Sequence, residues 1–95
     1  MKINLLFRVA ESRPLTGLGV LLFPAEPPET LSLLELHTSL QLMLVQPDKQ
    51  EISATASVEE VTRTGQPAVR ALLLTQEGAA AVPVGTEVWP VAVNE

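Results

Sequence analysis

No cysteine or tyrosine occurs in the 95 residues, and histidine and tryptophan occur once each. Without Cys there are no disulfides, no thiolate metal ligands and no Cys nucleophile, which fits a reducing, cytoplasmic compartment. Cations are scarce as well: six Lys and Arg stand against eleven Asp and Glu, for a net charge of −5. Phosphate-backbone binding needs clustered Lys and Arg, so nucleic acid is not the expected main partner. Phe7, Phe23 and Trp89 are the only aromatics, too few for a base-stacking platform. No run of about 18 uncharged apolar residues is present to span a bilayer. The opening "MKINLLFRVAESRP" is broken by Arg8, Glu11 and Arg13, unlike the unbroken apolar segment of a secretory signal.

Catalytic patterns are missing too. There is no Gly-x-x-x-x-Gly-Lys-[Ser/Thr] phosphate loop. One His among dispersed acids offers no three-ligand metal spacing. Glu35, His37 and Ser39 would point the same way in a row along one strand rather than converge on one oxygen. Glu59 and Glu60 are adjacent, hence on opposite faces of a strand, and cannot act as a carboxylate pair. The expectation is a protein without catalytic residues, metal or cofactor.

What the chain does have is apolar alternation. Hydrophobic residues make up 46% of it, enough for one core in one domain spanning residues 1–95, although a chain this short removes only about 60–65% of its unfolded surface from water. "KINLLFRVA" sets Ile3, Leu5, Phe7 and Val9 against Lys2, Asn4 and Arg8, the period of a half-buried strand. "TGLGVLLFP" opens on two glycines and stops at Pro24, and "PAEPPET" (24–30) reads as a loop. In Leu31–His37 a strand is favoured, with one helical turn behind Thr30 as the alternative. "SLQLMLVQ" alternates at Leu40, Leu42 and Leu44, and "QPDKQ" predicts a hairpin turn into a strand bearing Ile52, Ala54, Ala56 and Val58. "TGQP" makes the next turn, and "AVRALLLT" and "TEVWPVAV" supply the last strands. Six or seven short strands punctuated by Gly and Pro predict an all-β fold, a small closed or partly open antiparallel barrel.

The motif order resembles the second, β-barrel domain of translation GTPases such as elongation factor Tu. Gly17, Gly19 and Val20, then Val58 and Glu59, then Leu72 to Leu74, and finally Gly85 and Val88 fall on that family's pattern. The chain departs from it near Phe23-Pro24 and in "ELHTSLQ", where a family glycine is absent. The resemblance implies a free-standing translation-protein-like barrel, an accessory module with no GTPase chemistry of its own. In that family such barrels contact transfer RNA or the ribosome.

Two partner classes follow. "LMLV" and "ALLL" put large apolar side chains on both strand faces, more than one small interior absorbs. With Leu40, Leu42 and Leu44 inside, Met43 and Val45 face out; with Val69, Ala71 and Leu73 as the inner set, Leu72 and Leu74 face out. Trp89 shares its face with Glu87 and Val91, either as a rim filler or as a contact residue. Met43, Val45, Leu72, Leu74 and Trp89 are therefore the expected surface for a protein partner or a second copy in a homodimer. The alternative implied by the resemblance is RNA contact through Arg8, Arg13, Arg63 and Arg70. Charge balance sets the outcome: at physiological salt the chain is expected to show no submicromolar binding of transfer RNA in a fluorescence-anisotropy titration, and tight binding that falls steeply with added salt would contradict this.

Overall fold

The computed structural model describes residues 5–26, 28–75 and 81–91, so the alternation expected at Lys2, Ile3 and Asn4 lies outside the described residues. Six strands and one helical turn follow in the order β1 (Phe7–Leu15), β2 (Gly19–Pro24), α1 (Glu29–Ser32), β3 (Ser39–Val45), β4 (Glu51–Val61), β5 (Val69–Leu74) and β6 (Glu87–Pro90). The strands close into an antiparallel barrel in the order β1-β2-β5-β4-β3-β6. Closure removes the free edges on which apolar strands would otherwise aggregate.

The interior is filled by one side-chain parity from each strand. Phe7 and Val9, Val20 and Leu22, Leu42 and Leu44, Ala54, Ala56 and Val58, Leu72 and Leu74, and Val88 form a single buried cluster. The alanines of β4 are small because the ring is narrow. Gly19 meets the same limit from the backbone: at φ +138, a Cβ there would collide with the Leu74 carbonyl oxygen of β5, so only glycine lets β2 lie that close. Gly85, at φ +93, turns the chain into β6. The Thr86 beside it is fully buried and donates its hydroxyl to the Pro83 carbonyl at 2.7 Å.

The β3–β4 hairpin turns where expected. Gln46 N–H donates to Gln50 O at 2.8 Å, and Asp48 Oδ1 accepts from Gln50 N–H at 3.0 Å. The segment Leu31–His37 is not a strand, which corrects the expectation. Glu29–Ser32 form one helical turn after Pro28, and His37 sits at φ 69, a left-handed conformation that ends any extended run. The loop read over residues 24–30 is likewise shorter, since Pro24 closes β2 and Glu29 and Thr30 already belong to α1. Leu31 explains the change: completely buried in the core, it plugs the barrel end where β2 finishes and β3 starts, and a turn of helix aims it inward as a strand crossing that opening could not.

Strand β5 runs at the opposite parity to that expected. Leu72 and Leu74 point inward, at 0% and 3% exposure, because they register with Val58 and Ala56 of β4 and with Leu22 and Val20 of β2, all core residues. Val69, Ala71 and Leu73 lie outside, where Ala71 joins Leu21 and Phe23 in a second apolar cluster with Leu15, Val61, Val69 and Leu73 packed against it. Arg70 shares the inward parity but stands at the barrel end, opposite Glu60. The parity is directly testable. Leu72→Lys buries an unpaired ammonium and should abolish the cooperative urea transition, whereas Leu73→Lys can extend its amine to water and should keep a β-type circular dichroism spectrum; equal tolerance of both would refute the register.

Candidate interaction surface

Strands β3 and β6 pair as Leu42↔Pro90, Met43↔Trp89, Leu44↔Val88 and Val45↔Glu87. Since Leu42, Leu44 and Val88 fill the core, the alternate residues Met43, Val45, Glu87 and Trp89 stand on the outer face. Beyond Trp89 the ladder continues through Val91 N–H to Gln41 O at 3.0 Å, which leaves Val91 exposed beside Trp89. Met43, Val45 and Trp89 are each half-buried. Three of the five residues expected to meet a partner therefore come together on one face. Leu72 and Leu74 do not join them: both line the interior.

A polar strut holds the stripe on one side. Trp89 Nε1 donates to Glu87 Oε1 at 3.0 Å, and Arg8 of β1 donates through Nη2 to Glu87 Oε2 at 3.2 Å. The indole is fixed by its N–H, while its ring remains available on the apolar stripe between Met43 and Val91. These donors hold the Glu87 carboxyl below its ordinary value of 4.5, the Trp89 hydrogen bond being the larger cause, followed against burial by Arg8.

The other outer apolar face lies across the ring. The β2–β5 seam and the β3–β6 seam are separated by β1 on one side and β4 on the other. Sequence reasoning missed the first of these because "GVLLF" and "VRALLL" are apolar at both parities.

Three of the four arginines of the RNA alternative gather around Glu11, since Arg63 and Arg70 line one cleft with it and Arg13 also reaches it, whereas Arg8 pairs with Glu87. Arg8 binds Glu87, at 64% side-chain exposure. Arg13 and Arg63 both converge on Glu11, through Nη2 atoms at 2.8 and 3.0 Å, and their hydrogen bonds and charge lower the Glu11 carboxyl, Arg63 foremost. Arg70 Nε lies 3.9 Å from Glu60 Oε2. Arg8, Arg13 and Arg63 thus each donate to a carboxylate that phosphate would have to displace, while Arg70 stays beyond hydrogen-bond range of Glu60.

His37 Nδ1 is 3.2 Å from Glu59 Oε2, and Ser57 Oγ donates to that same oxygen at 2.7 Å. The carboxylate sits between the hydroxyl and the imidazole, so His37 has no contact through which to take a proton from Ser57. This is the wrong order for nucleophilic catalysis. Among the described residues no group of three or more His, Cys, Asp or Glu could hold a metal, and no helix is long and apolar enough to cross a membrane.

Comparison with protein-family models, with curated proteins and with solved structures finds no match to the chain.

The Glu87 strut gives a titration with a clear sign. Because its carboxyl titrates below 4.5 when folded, the stability it contributes is complete above that pH and is lost as pH falls through the folded value. The chain has one Trp, so a single indole N–H resonance reports the bond. It is expected to shift with a midpoint below 4.5, and Glu87→Gln should remove the transition while leaving the rest of the acid titration in place.

Proposed function

We propose that the chain is a non-catalytic interaction module, an accessory barrel of the translation-factor type, whose β3–β6 face binds a protein surface, and first of all a second copy of itself. The observation that carries this reading is the outward row of Val45, Met43, Trp89 and Val91 across two paired strands. The resemblance at Gly17, Gly19, Val58, Glu59 and Gly85 supports the translation-factor type, and the antiparallel closed barrel is compatible with it. Protein binding takes precedence over RNA because the apolar row is only half-buried, with Val91 exposed, while Arg8, Arg13 and Arg63 each donate to a glutamate and the chain carries a net charge of −5.

A two-fold axis through this face would set each Trp89 near the partner's apolar row. Such an interface is isologous, so each favourable contact occurs twice. Fully covering one large apolar side chain is worth about 1.5–3 kcal/mol. Met43, Val45 and Trp89 are half-buried already and gain less, which after association entropy points to micromolar rather than nanomolar pairing.

Light scattering coupled to size exclusion is expected to give a dimer mass at about 100 µM, roughly a hundred times a micromolar dissociation constant. Trp89 emission should move to shorter wavelength over the same concentration range. Met43→Glu should return a folded monomer whose emission no longer depends on concentration. A monomer mass for the unmodified chain at that concentration rules out self-association as the function of this face.

A further inference from the structure

Strands β2 and β5 part company before either ends. Their register runs from Val20↔Leu74 to Leu22↔Leu72 and stops there, although β2 continues to Pro24 and β5 begins at Val69. Pro24 has no N–H to offer a ladder, and β1 carries a bulge between Val9 and Glu11 beside it. The gap opens at the barrel end that α1 caps. It forms a cleft of about 270 Å³ whose lining includes Glu11, Phe23, Pro24, Arg63, Val69 and Arg70.

The two arginines in this cleft are incompletely bonded. Arg63 lies over the Phe23 ring, 4.7 Å from its centroid, and gives one Nη2 hydrogen to Glu11, but its Nε is buried with no hydrogen-bond partner among the described residues. Arg70 approaches Glu60 only to 3.9 Å, beyond hydrogen-bond range, and its Nη1 is buried and unpartnered. An unmet buried N–H is unfavourable, more so on a charged group. Arg63 is held by ring and carboxylate. Arg70, with no hydrogen bond among the described residues to fix its head, can turn toward an acceptor in the cleft.

We propose that this cleft binds a small organic monocarboxylate. The planar anionic head would sit between the Arg63 and Arg70 guanidiniums, whose fork geometry matches a carboxylate, and an apolar body would lie against Phe23, Pro24 and Val69. Size and charge set the class. The cleft is smaller than the roughly 300–1,000 Å³ of sites for drug-sized ligands, which selects a fragment-sized molecule. Two arginines and Glu11 leave the lining at one net positive charge, which suits a monoanion and repels a phosphate dianion from the Glu11 side. This site lies at the β2–β5 seam, apart from the proposed β3–β6 interaction face, and neither depends on the other.

The test is a ¹H–¹⁵N titration of the full chain with sodium benzoate, with sodium acetate, sodium phosphate and sodium chloride as matched arms. Benzoate is expected to give saturable shifts at the Arg63, Gln66, Val69 and Arg70 amides, with acetate weaker for want of an apolar body. Arg70→Gln should weaken benzoate by about tenfold or more, the loss of a charge-assisted hydrogen bond. Should that variant fail to fold, Arg70→Lys keeps the charge without the fork and is held to the same expectation of weaker binding. No saturable benzoate shift beyond that of chloride overturns the proposal, as does unchanged affinity in the folded Arg70 variant. Tighter saturable binding of phosphate at the same amides overturns the carboxylate assignment.

Discussion

Closing six short strands into one ring forces every strand to commit one parity of side chain to a shared, narrow interior. The rest of the structure follows from that constraint. The alanines at 54 and 56 on β4 are sized for it, and the absence of a side chain at Gly19 is what allows β2 to reach Leu74 of β5 at all. The end left open by the ring is stopped by Leu31, which is why a helical turn interrupts an otherwise all-β chain. Apolar residues of the other parity are then left on the outside, in two groups on opposite seams.

These outer groups differ in how they are finished. On the β2–β5 side, Leu21, Phe23 and Ala71 are buried by their own neighbours and by Arg63 lying over Phe23. That side buries most of its apolar surface within the chain, apart from the cleft beside Phe23, Pro24 and Val69. On the β3–β6 side the row from Val45 to Val91 is bounded by the Arg8–Glu87–Trp89 strut but is not covered by it. The contrast gives the proposed interaction face its place: burial that the chain largely completes at the β2–β5 seam is incomplete at the β3–β6 seam, where Met43, Val45 and Trp89 are half-buried and Val91 is exposed.

Strands with a clear alternation were legible from residues alone. In β1, β3 and β4 polar side chains mark one face, and Phe7, Val9, Leu42, Leu44, Ala54, Ala56 and Val58 were assigned inward correctly. The hairpin at Pro47-Asp48 and the turn at Gly85 were legible because their residues have few other conformational uses. In β5 large apolar side chains stand at both parities, so the pattern does not choose a face; the register with Val58 and Ala56 does, and it brings Arg70 to the barrel end opposite Glu60. Leu31–His37 failed for another reason: a strand would group Leu31 with Leu33 and a helical turn groups Leu31 with Leu34, and all three are leucine, so the residues do not choose until the opening to be plugged is known. For the candidate surface, Met43, Val45 and Trp89 could be gathered from parity, whereas the cleft could not: it arises where β2 and β5 diverge, a property of pairing that no local pattern encodes.

The ring order also fixes when the fold can exist. Strand β6 is inserted between β1 and β3, and Phe7 waits for Val88 across nearly the whole described chain. During synthesis from the ribosome, β1 to β5 can pair with one another as soon as they emerge, but as an open, curled sheet with two bare edges. Only four residues, Glu87–Pro90, turn that sheet into a barrel. Until they are released the nascent chain exposes strand edges of the kind that other chains can pair with, so the interval before β6 appears is the period of greatest exposure to chaperones and to aggregation.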